Sequence, residues 1–202
     1  MKTEILNLGP YFTNCYCAEG EDYAFIVDPA GDSPQFDAFI NRNKNKPNRA
    51  VLLTHCHADH IGYAENAAKK FDSAVYIGEF DVVGANNPEI NLSLQIYGYA
   101  FCLTGCIPVK NGQIIKLGSA EIKVMHTPGH TSGGVCYIVE NSVFSGDTIM
   151  CGTYGRYDLP TGNGAQLFKS LKAILRLNGN YEILPGHTPK TTVNAEKKNY
   201  NF

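Results

Sequence analysis

The chain has 202 residues, of which 44% are hydrophobic and 18% charged, with 17 Lys and Arg against 19 Asp and Glu for a formal net charge of −2. That length suits one well-filled core, so a single domain over 1–202 is expected, and the composition excludes disorder. No basic run exceeds two residues, and no window approaches the ~18 apolar residues of a membrane span, which argues against nucleic-acid and membrane partners.

Short β-favouring runs come first, at Glu4–Leu8, Asn14–Ala18 and Tyr23–Asp28. Ser33-Pro34 is a helix start, an N-cap followed by proline at the first helical position, and Phe36, Phe39 and Ile40 give that helix one apolar face. Asn43–Pro47 ends it. A buried strand at Ala50–Thr54 precedes a helix from about Gly62 to Phe71, and strands follow at Ala74–Ile77, Ile114–Leu117 and Glu121–His126. The stretch Asn86–Thr104 has no clear pattern and receives no assignment. Val135–Glu140 and Ser142–Ser145 read as a hairpin across Asn141, Gly164–Leu177 as a helix with Leu167, Phe168, Leu171, Ile174 and Leu175 on one face, and Tyr181–Leu184 as a last strand. Strands flanked by helices along the whole length give an α/β class.

The cysteines, Cys15, Cys17, Cys56, Cys102, Cys106, Cys136 and Cys151, are odd in number and show no paired framework. The opening MKTEILNLGPYF has no apolar core of a secretion signal. Together these point to reduced thiols in a cytoplasmic protein.

Five of the six histidines fall in three places: His55, His57 and His60 in HCHADH, His130 in TPGHTSGG and His187 in LPGH. Each group follows a short apolar strand, as does Asp147 in VFSGD, and ligands leaving neighbouring strand ends can converge on one point. His55 and His57 are two apart, so an extended segment turns both to the same side and Cys56 away from them. Asp59 and His60 then enter the next helix and face a second point nearby. Glycines beside His130, Asp147 and His187 permit sharp turns. A lone histidine is usually an ordinary core or surface residue; seven imidazole and carboxylate groups at equivalent strand ends are a metal site, suited to zinc, iron or manganese.

HCHADH matches the H-x-H-x-D-H signature of the metallo-β-lactamase superfamily, and His130, Asp147 and His187 resemble its later ligands in order. The resemblance implies an αββα four-layer sandwich with the site at one edge of two facing sheets. It implies two divalent metal ions, zinc first. Metal 1 would be held by His55, His57 and His130, metal 2 by Asp59, His60 and His187, with Asp147 bridging. TNCYC, IVDPAGD, NPEINLS, GRYDLPTGN and the closing GHTPKTTVNAEKKNYNF are similar to the short glyoxalase II-like (hydroxyacylglutathione hydrolase-like) branch.

Such a pair of ions can lower the pKa of water to ~7 and steady an oxyanion. The expected reaction is therefore attack of a metal-bound hydroxide on a small-molecule thioester, with Asp59 and Asp147 as the catalytic carboxylates. A mononuclear iron persulfide dioxygenase and a lactonase of the same superfamily are the competing enzyme readings, and a metal-binding accessory domain the non-enzyme one. Full-length glyoxalase II enzymes carry a further C-terminal helical domain with glutathione contacts. Here 15 residues follow His187, which sets glutathione recognition against thioesters of smaller thiols. Tyr154 and Arg156 are candidate substrate contacts, and Arg156 with Asp158 equally an ion pair anchoring a loop. Asp28 reads as a hydrogen-bonding support for the ligands or as a turn cap, His126 as structural, and Cys56 and Cys151 as ordinary thiols.

Overall fold

Central strands buried on both faces need apolar residues at consecutive positions, and the runs NCYCA, YAFIV and AVLL supply them. In the computed structural model, which describes residues 1–200, they form the middle of a six-stranded sheet. That sheet runs in chain order through β1 (Lys2–Leu8), β2 (Thr13–Glu19), β3 (Tyr23–Val27), β4 (Asn48–Leu53), β5 (Ala74–Gly78) and β6 (Ile107–Val109), antiparallel up to β3 and parallel thereafter. The second sheet holds β7 (Ile114–Leu117), β8 (Ala120–His126), β9 (Val135–Val139), β10 (Ser142–Gly146), β11 (Glu182–Pro185) and the two-residue β12 (Thr191–Thr192), also in chain order. Asn201 and Phe202, the end of the closing segment, lie outside the described residues.

Side-chain alternation sorts these strands into layers. Cys15, Cys17, Ile26, Val51 and Leu53 face outward from the first sheet, against Phe36, Phe39 and Ile40 of α1 (Pro34–Asn43) and Phe71 beyond it. Tyr16, Phe25, Val27 and Leu52 face the second sheet and meet Ile122, Val124, Tyr137 and Phe144. On the far side, Ile138, Val143 and Ile183 pack under Leu167, Leu171 and Ile174. The result is helix, sheet, sheet, helix.

The helices start where their caps predict. Ser33 Oγ accepts from Phe36 N–H at 3.1 Å, and Asn163 Oδ1 accepts from Gln166 N–H at 3.0 Å. The helix expected from Gly62 to Phe71 is two pieces, α2 (Ala58–Ile61) and α3 (Ala64–Phe71). They part because Tyr63 N–H donates to the Pro29 carbonyl at 2.9 Å instead of to its own helix. α4 (Val82–Ala85) lies just before the unassigned stretch, which holds α5 (Pro88–Asn91) and α6 (Ser93–Tyr97); each is too short for a periodic signal. The last long helix, α7 (Gly164–Leu175), ends two residues earlier than expected and joins the parallel strands β10 and β11; α8 (Val193–Glu196) follows β12. No described helix is long and apolar enough to cross a membrane.

β4, β8, β10 and β11 all release their chains at the edge where the ligand candidates lie. Tyr137 of β9 ties the two sheets together there, its hydroxyl donating to the Leu53 carbonyl at 2.9 Å from a fully buried position. Tyr137→Phe is expected to cost about 1–2 kcal/mol, the worth of a buried neutral hydrogen bond. Urea unfolding would measure it, and a change indistinguishable from zero would show the tie to be dispensable.

Candidate metal centre

His55 and His57 lie just beyond β4, Asp59 and His60 in α2, His130 in the loop after β8, Asp147 one residue beyond β10, and His187 two beyond β11. Folding brings all seven together. Three sets of donor atoms lie within 4.8 Å of one another: His55, His57 and His130; His55, His60 and Asp147; and Asp59, His60 and His187. His57 Nδ1 stands 2.9 Å from His130 Nε2. Asp147 Oδ2 lies 3.6 Å from His130 Nε2 and 3.8 Å from His187 Nε2, while its Oδ1 lies 3.6 Å from His60 Nε2. Gly186 allows this crowding, since a Cβ there would come within 2.5 Å of both Asp147 Oδ1 and His60 Cε1.

Partners behind the ligands choose which ring nitrogen faces inward. Asp28 Oδ2 accepts from His60 Nδ1 at 2.9 Å and from the Thr54 hydroxyl at 2.7 Å, and Asp28 Oδ1 accepts from Thr54 N–H at 2.8 Å. With its proton given to Asp28, Thr54 Oγ1 is left to accept from His55 Nδ1 at 3.1 Å. The Arg156 carbonyl accepts from His130 Nδ1 at 2.6 Å. Lone pairs at Nε2 of His55, His60 and His130 are thereby directed into the cluster. His55 Nε2, His60 Nε2 and Asp147 Oδ1 are buried and meet no hydrogen-bond partner among the described residues. Buried polar atoms are rarely left so, and three inward-facing donor atoms in one place fit a cation.

Charge divides the cluster into two ends. Burial, reinforced by the surrounding imidazoles, holds His55 and His57 well below the usual histidine range, so they stay neutral donors. Burial also opposes charge on His60, but Asp59, Asp147 and Asp28 outweigh it and push its pKa up to about 10. The Asp59 carboxyl is raised by burial yet lowered more by His60 and by its contact with His187, and ends well below the carboxylate range. The carboxylate-rich end around His60 thus attracts cations, and a proton competes there with a metal for Nε2.

The cluster floors a cavity of about 660 Å³, walled by Tyr11, Leu92, Ile96, Met150, Leu159 and Pro160, with Glu89 and Arg156 also lining it. His187, with 26% of its side chain exposed, is the most open of the ion-paired ligand candidates.

Residues 8–187 match the family model of the metallo-beta-lactamase superfamily. The chain belongs to the metallo-β-lactamase superfamily. Its αββα fold is that of the superfamily, whose members bind divalent metals. It is 31% identical to the probable metallo-hydrolase YqgX of Bacillus subtilis (strain 168), covering 100% of this chain and 97% of that one. It is 29% identical to the hydroxyacylglutathione hydrolase GloC of Haemophilus influenzae, covering 100% and 98%. Among solved structures it superposes on the BLEG-1 B3 metallo-β-lactamase with a TM-score of 0.86 at 31% identity, over 98% and 97% of the two chains. TTHA1623 in a di-iron-bound form gives 0.82 at 31% identity, over 97% and 98%. ETHE1 from Myxococcus xanthus gives 0.79 at 25% identity, over 98% and 83%.

Within this superfamily frame, the remaining candidates separate. Asp28 supports ligands rather than merely capping a turn. Arg156 lines the cavity and also forms a two-point ion pair with Asp158, at 2.7 and 2.8 Å, both side chains being largely exposed. Tyr154, expected to reach substrate, does not line the cavity. Its ring packs 5.3 Å from Phe168 of α7 and 6.3 Å from Tyr200, because burial against the helix layer is available on that side of the loop. His126 is structural, its Nε2 donating to the Ser132 carbonyl at 3.0 Å. Cys56 is fully buried in the outer layer beneath Gly84, and Cys151 is exposed and outside the cavity wall.

Two supports had no sequence signal. Asp81 ends a 3-10 turn at Glu79–Asp81 and lies at 1% exposure. It accepts from Cys56 N–H at 2.9 Å, Thr131 Oγ1 at 2.7 Å and Gly133 N–H at 2.7 Å, joining the HCH segment to the His130 loop. Burial lifts its carboxyl above the usual range, against the pull of those three donors. Asn14 Nδ2 donates to the carbonyls of Pro185 (2.9 Å) and Thr188 (2.8 Å), bracketing His187. Only contacts across the fold reveal either residue. Asp81→Ala strands two buried backbone donors and is expected to cost about 2–4 kcal/mol and to weaken metal retention. Cys56→Ala should leave metal content unchanged. Unfolding curves with metal analysis of both proteins check this, and equal metal content in the two would discount the clamp.

Proposed function

We propose that this protein is a dinuclear metal-dependent hydrolase that cleaves small-molecule thioesters of the hydroxyacylglutathione type. The observation that carries the reading is the overlap of the donor sets: His55 and His60 each belong to two of the three, and Asp147 presents one oxygen toward His130 and the other toward His60. One ion would be held by His55, His57 and His130, a second by Asp59, His60 and His187, with Asp147 between. Imidazole and carboxylate donors without thiolate suit zinc first and also iron or manganese; TTHA1623 is described as di-iron-bound.

Divalent ions bound there supply an acidified water and polarise a carbonyl. The chain's own groups do the rest. Asp28, Thr54 and the Arg156 carbonyl hold the imidazoles in the productive tautomer. Asp59 and Asp147 bring negative charge beside the donors and orient what binds there through their oxygens. The apolar part of the wall lowers the polarity beside the cluster, which strengthens charge interactions there. A thiolate leaves readily, so no separate general acid is needed. The naming of GloC as a hydroxyacylglutathione hydrolase supports this substrate class. All seven cysteines are free, including exposed Cys102 and Cys151, which supports a reducing, cytoplasmic location.

Protein prepared without chelator should carry about two metal equivalents, the usual complement of such paired sites. His187→Ala should lose mainly one of them, and Asp147→Ala should lose retention of both together with turnover. Lactoylglutathione should release free thiol with no oxygen uptake. One tightly held iron, with oxygen consumption and sulfite formation from glutathione persulfide, would replace this reading with a persulfide dioxygenase; cleavage of lactones alone would make it a lactonase.

A further inference from the structure

Leu92 joins α5 to α6 with φ 64° and ψ 22°, a left-handed conformation that costs a branched, Cβ-bearing side chain free energy and is normally left to glycine or asparagine. Its surroundings enforce it. Asn91 and Ser93 on either side are fully buried. Asn91 Nδ2 donates to the carbonyls of Ala85 (3.1 Å) and Phe101 (3.0 Å), its Oδ1 accepts from Ser93 N–H at 2.9 Å, and Ser93 Oγ accepts from Phe101 N–H at 3.0 Å. Leu92 N–H closes α5 on the Pro88 carbonyl and its own carbonyl opens α6. A turn farther on, the Tyr97 hydroxyl donates to the Ala30 carbonyl at 2.8 Å and pins α6 beside the metal-ligand helix α2. These hydrogen bonds hold the elbow on both sides, and Leu92 at its corner is half-buried and lines the cavity over the ligand cluster.

Strain that the surroundings over-determine gathers where a site needs a particular group in place. Ile96, one helical turn on, continues the surface, and Met150 and Leu159 also line the cavity. Away from the ligand cluster, the walls of the same cavity offer little to a charged part of a ligand. Arg156 is the single Lys or Arg among its lining residues, it is already matched by Asp158, and Glu89 adds a negative charge. Biological thiol carriers are polar, whereas the acyl arm of a thioester can be wholly aliphatic. Resting on the hydrolase reading above, we propose that Leu92 is a specificity-determining residue that, with Ile96, selects thioesters by an aliphatic acyl chain longer than the lactoyl group, which leaves this wall uncovered.

The test is a ladder of acetyl, butanoyl, hexanoyl and octanoyl thioesters of N-acetylcysteamine, a small uncharged thiol, with metal-loaded protein. kcat/KM should rise about fourfold for each methylene that enters the wall. In Leu92→Gly and Leu92→Asn the octanoyl-to-acetyl ratio should fall by about tenfold or more. Both replacements tolerate positive φ, so neither variant should unfold at a lower temperature than the unmodified protein. A ladder without slope, a ratio that the variants leave unchanged, or a Leu92→Gly protein destabilised like a core leucine deletion would each overturn the proposal. If no thioester is cleaved, the hydrolase reading fails separately, and the wall is then read by thermal shift with the acetate-to-octanoate series. Stabilisation that grows with chain length and is lost in Leu92→Gly sustains the wall; a flat response overturns it.

Discussion

Asp28 stands at the end of β3 with 1% of its surface exposed, and a carboxylate so placed must find donors for both oxygens. It finds them in the residues that begin the metal-binding segment: the backbone and hydroxyl of Thr54 and the Nδ1–H of His60. One buried anion therefore fixes the exit of β4, the tautomer of His60 directly, and that of His55 through Thr54. Its own backbone lies at φ 51°, a strained conformation at the turn where the chain leaves the sheet. Remove the carboxylate and three donors of the ligand segment lose their acceptor together.

Asp81 repeats the device from the opposite side. Where Asp28 ties ligands to the strand before them, Asp81 ties the HCH segment to the loop carrying His130, which belongs to the other sheet. Asn14 does the same for His187, using an amide where the groups to be held are carbonyls. The loops at this edge are thus held by polar contacts buried in a closely packed interior, an arrangement that keeps ligand geometry within the narrow limits a metal site requires. The apolar layers supply stability, and these buried polar residues supply position.

The electrostatics follow from the same placement. Burial, with other imidazoles around them, keeps His55 and His57 neutral; His60 is as deeply buried, but the carboxylates around it draw it toward positive charge. The two ends of the cluster therefore differ in charge although their ligand types are nearly the same. Beyond them the cavity turns largely apolar, and its charged wall residues, Glu89 and the Arg156 that pairs with Asp158, are largely exposed.

By itself the sequence showed the strands, the longer helices and the set of candidate ligands. β-favouring runs marked the strands of both sheets, the cap at Ser33-Pro34 marked the start of α1, the apolar face from Leu167 to Leu175 marked α7, and histidines and aspartates behind apolar strands marked the candidate site. These signals are local, carried by side-chain period and by neighbours a few residues apart. The break at Tyr63, the short helices α4–α6 and the strand β6 were not legible, because each answers to a distant group. Tyr63 bends toward Pro29, and Leu92 is held by the contacts of Asn91 and Ser93 with Ala85 and Phe101. Likewise Tyr154 turned to the helix layer, Asp81 entered the site unannounced, and Asp28 proved to be a ligand support. Which face of a loop is buried, and which carboxylate meets which donor, depends on pieces of chain that become neighbours only when the two sheets close on each other.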